Sequence, residues 1–239
     1  MNAFDIPAST SRGTSRPRDQ ATPLPPSLKG CAHGRAGKAD WQAGPGTGWL
    51  SWWGLNAHIQ GIADRLAKEG FTVFAVDLYH GRTTKDAAEA DRLLAQLDWG
   101  KASEELRAAT DALRERGGPG TKVAVLGFCM GGALTLLAGV TDPQLDAVVP
   151  FYGIPPETVD VTRIRAPVLG HFAKNDDWCT PDRVDALEQK LKRAHVPAEF
   201  HRYDASHAFF NDTRPEVHSP ENARQAWKRT VDFLHAKLG

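Results

Sequence analysis

Residues Gly127-Phe128-Cys129-Met130-Gly131 set a thiol between small residues where the run "KVAVLG" meets "FCMGGALTLLAG". A β-branched run followed by an Ala- and Leu-rich apolar run reads as a strand and then a buried helix, and G-x-Nuc-x-G in that context is a nucleophile elbow. The turn forces its central residue into strained backbone, and small neighbours let strand and helix pass closely. Gly127, Gly131 and Gly132 meet that need. Cys129 is then expected at a helix N-terminus, where amide N–H groups and the dipole favour the thiolate. The Met130 N–H would face a developing oxyanion. The bland alternative is a structural cysteine in a tight turn, and the flanking strand and helix favour the nucleophile.

A thiol nucleophile needs a base and a group that orients the base, and in folds with such an elbow they follow in the order nucleophile, acid, histidine. "KNDDWCTP" follows the strand-like "APVLGHF", which puts Asp176 and Asp177 at the carboxyl end of a strand, where open α/β sheets build their sites. Either can cap the next helix; Asp176 is preferred as the orienting acid and Asp177 as its solvated neighbour. "YDASHAFFN" places His207 in the loop between the strand "AEFHRY" and the last helix. The chain has 9 histidines, so each needs a competing role. His33 lies in the N-terminal tail, and His58, His195, His201, His218 and His235 are read as structural or solvent-facing. His80 ends a strand within reach of a site, and His171 lies inside a strand and packs. HExxH, CxxC and paired-His spacings are missing, so neither a metal nor a cofactor is expected.

The elements that must carry these residues follow from periodicity. Asn56 can cap a helix with Ile59, Ile62, Ala63 and Leu66 at helical spacing, which Gly70 ends. The strand "FTVFAV" runs to Asp77. Helices are expected around 84–97 and 101–116, the second burying Leu106, Ala109 and Leu113 and stopped by "GGPG". "DAVVPFYG" and "APVLGHF" continue the sheet. A helix from Pro181 to about Ala194, the strand "AEFHRY" and a helix from Pro220 to Lys237 complete it. Alternating strands and helices make an α/β domain with a mostly parallel sheet flanked by helices. That domain is expected to span 49–239. Residues 1–48, rich in Ser, Thr, Arg, Pro and Gly and without periodicity, are read as a disordered or atypical segment.

Composition narrows the function. The 239 residues, 41% hydrophobic and 24% charged, suit one globular domain rather than a disordered chain. Lys plus Arg and Asp plus Glu each total 29, which argues against a nucleic-acid partner, whose binding feeds on excess basic charge. No apolar run approaches the roughly 20 residues of a membrane span. A secretory leader is not seen either, so a cytoplasmic location is expected. Cys31, Cys129 and Cys179 are an odd set without metal spacing and read as free thiols in a reducing compartment. A monomer or weak dimer is expected.

From Trp52 onward the blocks "WWGLNAHI", "VDLYHGR", "GFCMGG", "KNDDW" and "SHAFFN" resemble the dienelactone hydrolase family of α/β-hydrolases, in its order and at about its spacing. The resemblance implies a cofactor-free thiol hydrolase acting on a small-molecule lactone or ester of the carboxymethylenebutenolide type. In it Cys129 attacks the carbonyl, His207 moves protons and Asp176 orients His207. It further implies the Trp52 N–H as second oxyanion donor and Arg82 as the holder of a substrate carboxylate. Three departures stand out. Ser51 replaces a glutamate that interacts with the resting cysteine. Asn211 replaces a second substrate-binding arginine. "GPGTGWLS" stands where a hydrophobic strand would lead into the aromatic pair, so N-terminal strands, a central one included, are expected to be missing. The rival function is an impaired α/β-hydrolase scaffold that binds a small molecule or partner, and thiol redox chemistry ranks last for want of a resolving cysteine in any local motif.

Overall fold

The computed structural model describes residues 57–78, 82, 92 and 96–239, together with the backbone of strands at 32–33 and 46–51. In chain order its elements are β1 (Ala32–His33), β2 (Gly46–Ser51), α1 (Ala57–Lys68), β3 (Thr72–Ala75), α2 (Trp99–Gly117), β4 (Val123–Phe128), α3 (Met130–Thr141), β5 (Ala147–Phe151), β6 (Val168–Asn175), α4 (Pro181–Arg193), β7 (Ala198–Ser206) and α5 (Pro220–Leu238). The strands lie side by side in the order β1-β3-β2-β4-β5-β6-β7. Every pairing is parallel except that of β1 with β3.

Parallel strands joined by helical crossovers are covered on both faces, so the inner ones need unbroken apolar runs rather than alternation. β4 and β5 obey this: every residue of each is buried. Pro150 is unusual for an inner strand, since it has no N–H to give. The pairing of β5 with β6 makes room for it, with partners at Val148–Val168 and next at Phe151–His171.

The helices follow the apolar spacing. α1 buries Ile59, Ile62, Ala63 and Leu66. It closes with Phe71 N–H donating to the Leu66 carbonyl and Gly70 N–H to that of Ala67 (3.2 and 3.1 Å), Gly70 taking φ 97° at the left-handed position. α3 is buried nearly all round, as a helix wedged between sheet and neighbours must be. α2 begins at Trp99, two residues before the expected 101, because the Asp98 carboxylate caps it by accepting the Lys101 N–H at 3.1 Å. Among the described residues no helix is long and apolar enough to cross a membrane.

The N-terminal boundary needs correction. The expected loss of a central strand does not hold: Gly46–Ser51 forms β2, paired with β3 on one side and, from Gly46–Val123 to Ser51–Phe128, with β4 on the other. The sheet therefore starts before residue 49, and Ala32–His33 adds a short antiparallel edge. Glycine-rich "GTGWLS" lacks a strand's usual composition, yet two neighbouring ladders satisfy its backbone, and this tertiary pairing outweighs propensity. The rest of 1–48, the cap Asn56 and most of the helix expected at 84–97 lie outside the described residues.

Candidate active site

Cys129 links β4 to α3 with φ 56° and ψ −119°, a backbone that few non-glycine residues adopt. Packing around the turn holds it there. A Cβ on Gly127 would lie 2.3 Å from the Gly131 carbonyl oxygen, one on Gly132 2.6 Å from that of Phe151, and one on Gly153 2.1 Å from that of Cys129 itself. The Cys129 N–H donates to the Phe151 carbonyl at 3.0 Å, and Met130 opens α3. The thiol is buried and lies 3.2 Å from Nε2 of His207.

His207 sits in the loop after β7, and its Nδ1 lies 2.7 Å from Oδ2 of Asp176. Asp176 follows β6 and is 4% exposed, which makes full pairing of its carboxylate necessary. Its other oxygen, Oδ1, accepts the N–H groups of Trp178 (2.8 Å) and Cys179 (2.9 Å). Asp177, by contrast, is exposed. Burial alone raises the Asp176 carboxyl, but His207 and those two amides outweigh it and hold the group below its ordinary value. Burial likewise works against a charged His207, and the hydrogen bonds and charges of Asp176 and Cys129 overcome it, pushing the imidazole up to about 9. A thiol, an imidazole and a carboxylate joined in this way can store an imidazolium beside a thiolate.

Aromatic rings fix the imidazole. Tyr152 lies edge-on to it at 5.0 Å and Trp178 is tilted against it at 5.8 Å. Tyr152, at φ 36°, is tied down by its N–H to the His171 carbonyl (2.7 Å). Burial, with Cys129 and Asp176 nearby, raises its hydroxyl well above the ordinary value, so it stays neutral. Cys179 is buried too, and burial with the same two neighbours raises its thiol. Cys129, His207, Met130, Tyr152, Trp178 and Trp99 line a cavity of about 210 Å³.

Some expected residues fall elsewhere. Arg82 is exposed and does not line this cavity. Asn211 is buried and turned into its own loop, its Oδ1 accepting from the N–H (3.0 Å) and hydroxyl (2.7 Å) of Thr213. Trp52 and His80 lie outside the described residues; for Ser51 the backbone alone is described, opposite Phe128 at the end of β2. His171 is buried between Tyr203 (2.8 Å) and Thr230 (3.0 Å) and packs. Among the described residues no three His, Cys, Asp or Glu side chains gather as metal ligands do. Sequence reasoning missed Tyr152, Trp99 and Trp178. Tyr152 was within reach, since it follows β5 at the sheet's carboxyl end; Trp99 carried no local signal.

The dienelactone hydrolase family model matches residues 50–238. The chain is 35% identical over 197 residues to Protein usf of Aquifex pyrophilus, covering 78% of this chain and 85% of that one. It is 31% identical over 198 residues to a candidate carboxymethylenebutenolidase of Aquifex aeolicus, with the same coverage of 78% and 85%. The crystal structure of a candidate dienelactone hydrolase from Klebsiella pneumoniae superposes with TM-score 0.75 at 28% identity, over 84% of this chain and 90% of that one.

Proposed function

As the chain belongs to the dienelactone hydrolase family of α/β-hydrolases and is a carboxylic ester or lactone hydrolase, we propose that it works through Cys129, His207 and Asp176. The Cys129 thiolate attacks the carbonyl carbon, and the carbonyl electrons move onto oxygen. The N–H groups of Met130 and Trp52 receive that oxyanion. Collapse breaks the bond to the ring or ester oxygen, which takes a proton from His207 and leaves a Cys129 thioester. His207, neutral again, then draws a proton from water, the hydroxide attacks the thioester, and the thiolate departs from a carboxylic acid. In a lactone the alcohol stays tethered, so the product is one ring-opened hydroxy acid. With Ser51 in place of a carboxylate, activation of the thiol rests on His207.

The observation that carries this reading is the continuous chain from Sγ through the imidazole to Oδ2, 3.2 and then 2.7 Å, beginning at a strained elbow. Likeness to a candidate carboxymethylenebutenolidase supports a small lactone or enol ester as substrate. Hydrolysis of cis- and trans-dienelactone by folded wild type and Cys129→Ala tests it. Turnover that vanishes in the variant is expected. A folded wild type inert on lactones and simple esters would favour the impaired scaffold.

A further inference from the structure

The cavity holding Cys129 carries one cationic side chain besides its histidine, among the described residues, and it is neither of the loop positions that the family resemblance points to. It is Arg183, on the first turn of α4. A guanidinium N–H of Arg183 donates to the Trp178 carbonyl, in the loop that also presents Asp176. That anchor leaves donors of the fork unspent, because a guanidinium has five N–H groups. Its positive charge is felt inside the site, where it opposes the rise of the Cys179 thiol.

Arg183 also lines a second cavity of about 60 Å³. The two cavities share Ile154, Pro156 and Arg183, so the guanidinium stands at their junction. Glu157 and Lys190 line the second cavity as well and offset each other, which leaves net positive charge at the junction. Trp99, Trp178, Ile154 and Pro156 give the same cavity an aromatic and apolar wall. Such a wall suits a hydrocarbon chain or conjugated system, and the cation suits what ends it.

We propose that Arg183 selects substrates whose acyl group carries a carboxylate several atoms beyond the scissile carbonyl, with the carbon chain on the apolar wall and the carboxylate on the guanidinium. This rests on the reading of Cys129 as nucleophile. A planar fork held in place by the Trp178 carbonyl has lost part of its rotamer freedom before the substrate arrives, so less of the interaction is spent on ordering it. Arg183 is exposed, and water and salt screen its charge, so the discrimination is moderate and falls with ionic strength.

The test compares p-nitrophenyl hydrogen glutarate with p-nitrophenyl valerate, acyl chains of equal length with and without a terminal carboxylate. The ratio of their kcat/KM values is measured for wild type, Arg183→Gln, Arg183→Lys and Arg82→Gln. Wild type should favour the anionic ester, and Arg183→Gln should lower the ratio about tenfold, chiefly through KM of the anionic ester. Arg183→Lys should restore part of it, since it keeps the charge and loses the fork. A ratio unmoved by Arg183→Gln, or one abolished by Arg82→Gln instead, overturns the subsite while valerate turnover leaves the nucleophile standing. If folded wild type turns over neither ester, the nucleophile reading fails and the subsite falls with it.

Discussion

Both oxygens of Asp176 are committed, one to the Trp178 and Cys179 amides and one to His207, so the imidazole is held by a group that is itself immobile. Against the opposing effect of burial, that contact and the one to Cys129 together raise His207 to about 9 from an unfolded value near 6.5. A group raised on folding stabilises fully below its unfolded value. Its contribution is lost as pH climbs toward and through 9. Asp176→Asn keeps the shape and removes the charge, which should lower kcat roughly 10³- to 10⁴-fold, as loss of the orienting carboxylate does in related triads. Urea unfolding of the variant across that pH window should show a weaker fall in stability than wild type. A variant with near-wild-type kcat would mean that Asp176 only caps its loop. These three side chains were legible in the sequence because each sits just past a strand, where local pattern alone fixes position. Tyr152 carried the same signal just past β5, whereas Trp99 and Arg183 reach the cavity through packing between distant elements, which no local window records.

The elbow is an element built from close approach. Cys129 keeps φ 56° because β4, α3 and the chain after β5 meet with no space for an extra carbon. Gly153 is the tightest point, where a Cβ would sit 2.1 Å from the Cys129 carbonyl oxygen. Backbone cannot yield as a side chain can, so Gly153→Ala should cost about 2–3 kcal/mol, read as a lower urea midpoint at unchanged m-value. It should also slow alkylation of Cys129 by iodoacetamide. Wild-type stability in the variant would show that the turn is looser than this packing implies. Gly127, Gly131 and Gly132 were readable from the G-x-Nuc-x-G pattern and its flank, whereas Gly153 lies in the chain after β5 and outside any motif.

At the scale of the whole molecule, the sheet runs unbroken through β3, β2 and β4, and the last residue of β2 lies beside the strand that delivers Cys129. The sequence reading lost this strand because Gly46, Thr47 and Gly48 carry little apolar signal, while strands such as "VAVLGF" declare themselves. A strand bonded on both sides opens only when the sheet does. Amides of 46–51 should therefore resist hydrogen exchange nearly as well as those of Val123–Phe128. Rapid exchange in 46–51 beside a protected β4 would remove β2 from the sheet.

The central claim is that Cys129 is acylated during turnover. Its most direct test is to mix folded protein with p-nitrophenyl acetate, quench in acid during the first turnover, and map the acetyl group by peptide mass spectrometry. The account predicts a thioester on Cys129, with Cys179 unmodified, and loss of both adduct and turnover in folded Cys129→Ala. Turnover that survives in that variant, or an acetyl group carried elsewhere, would contradict it.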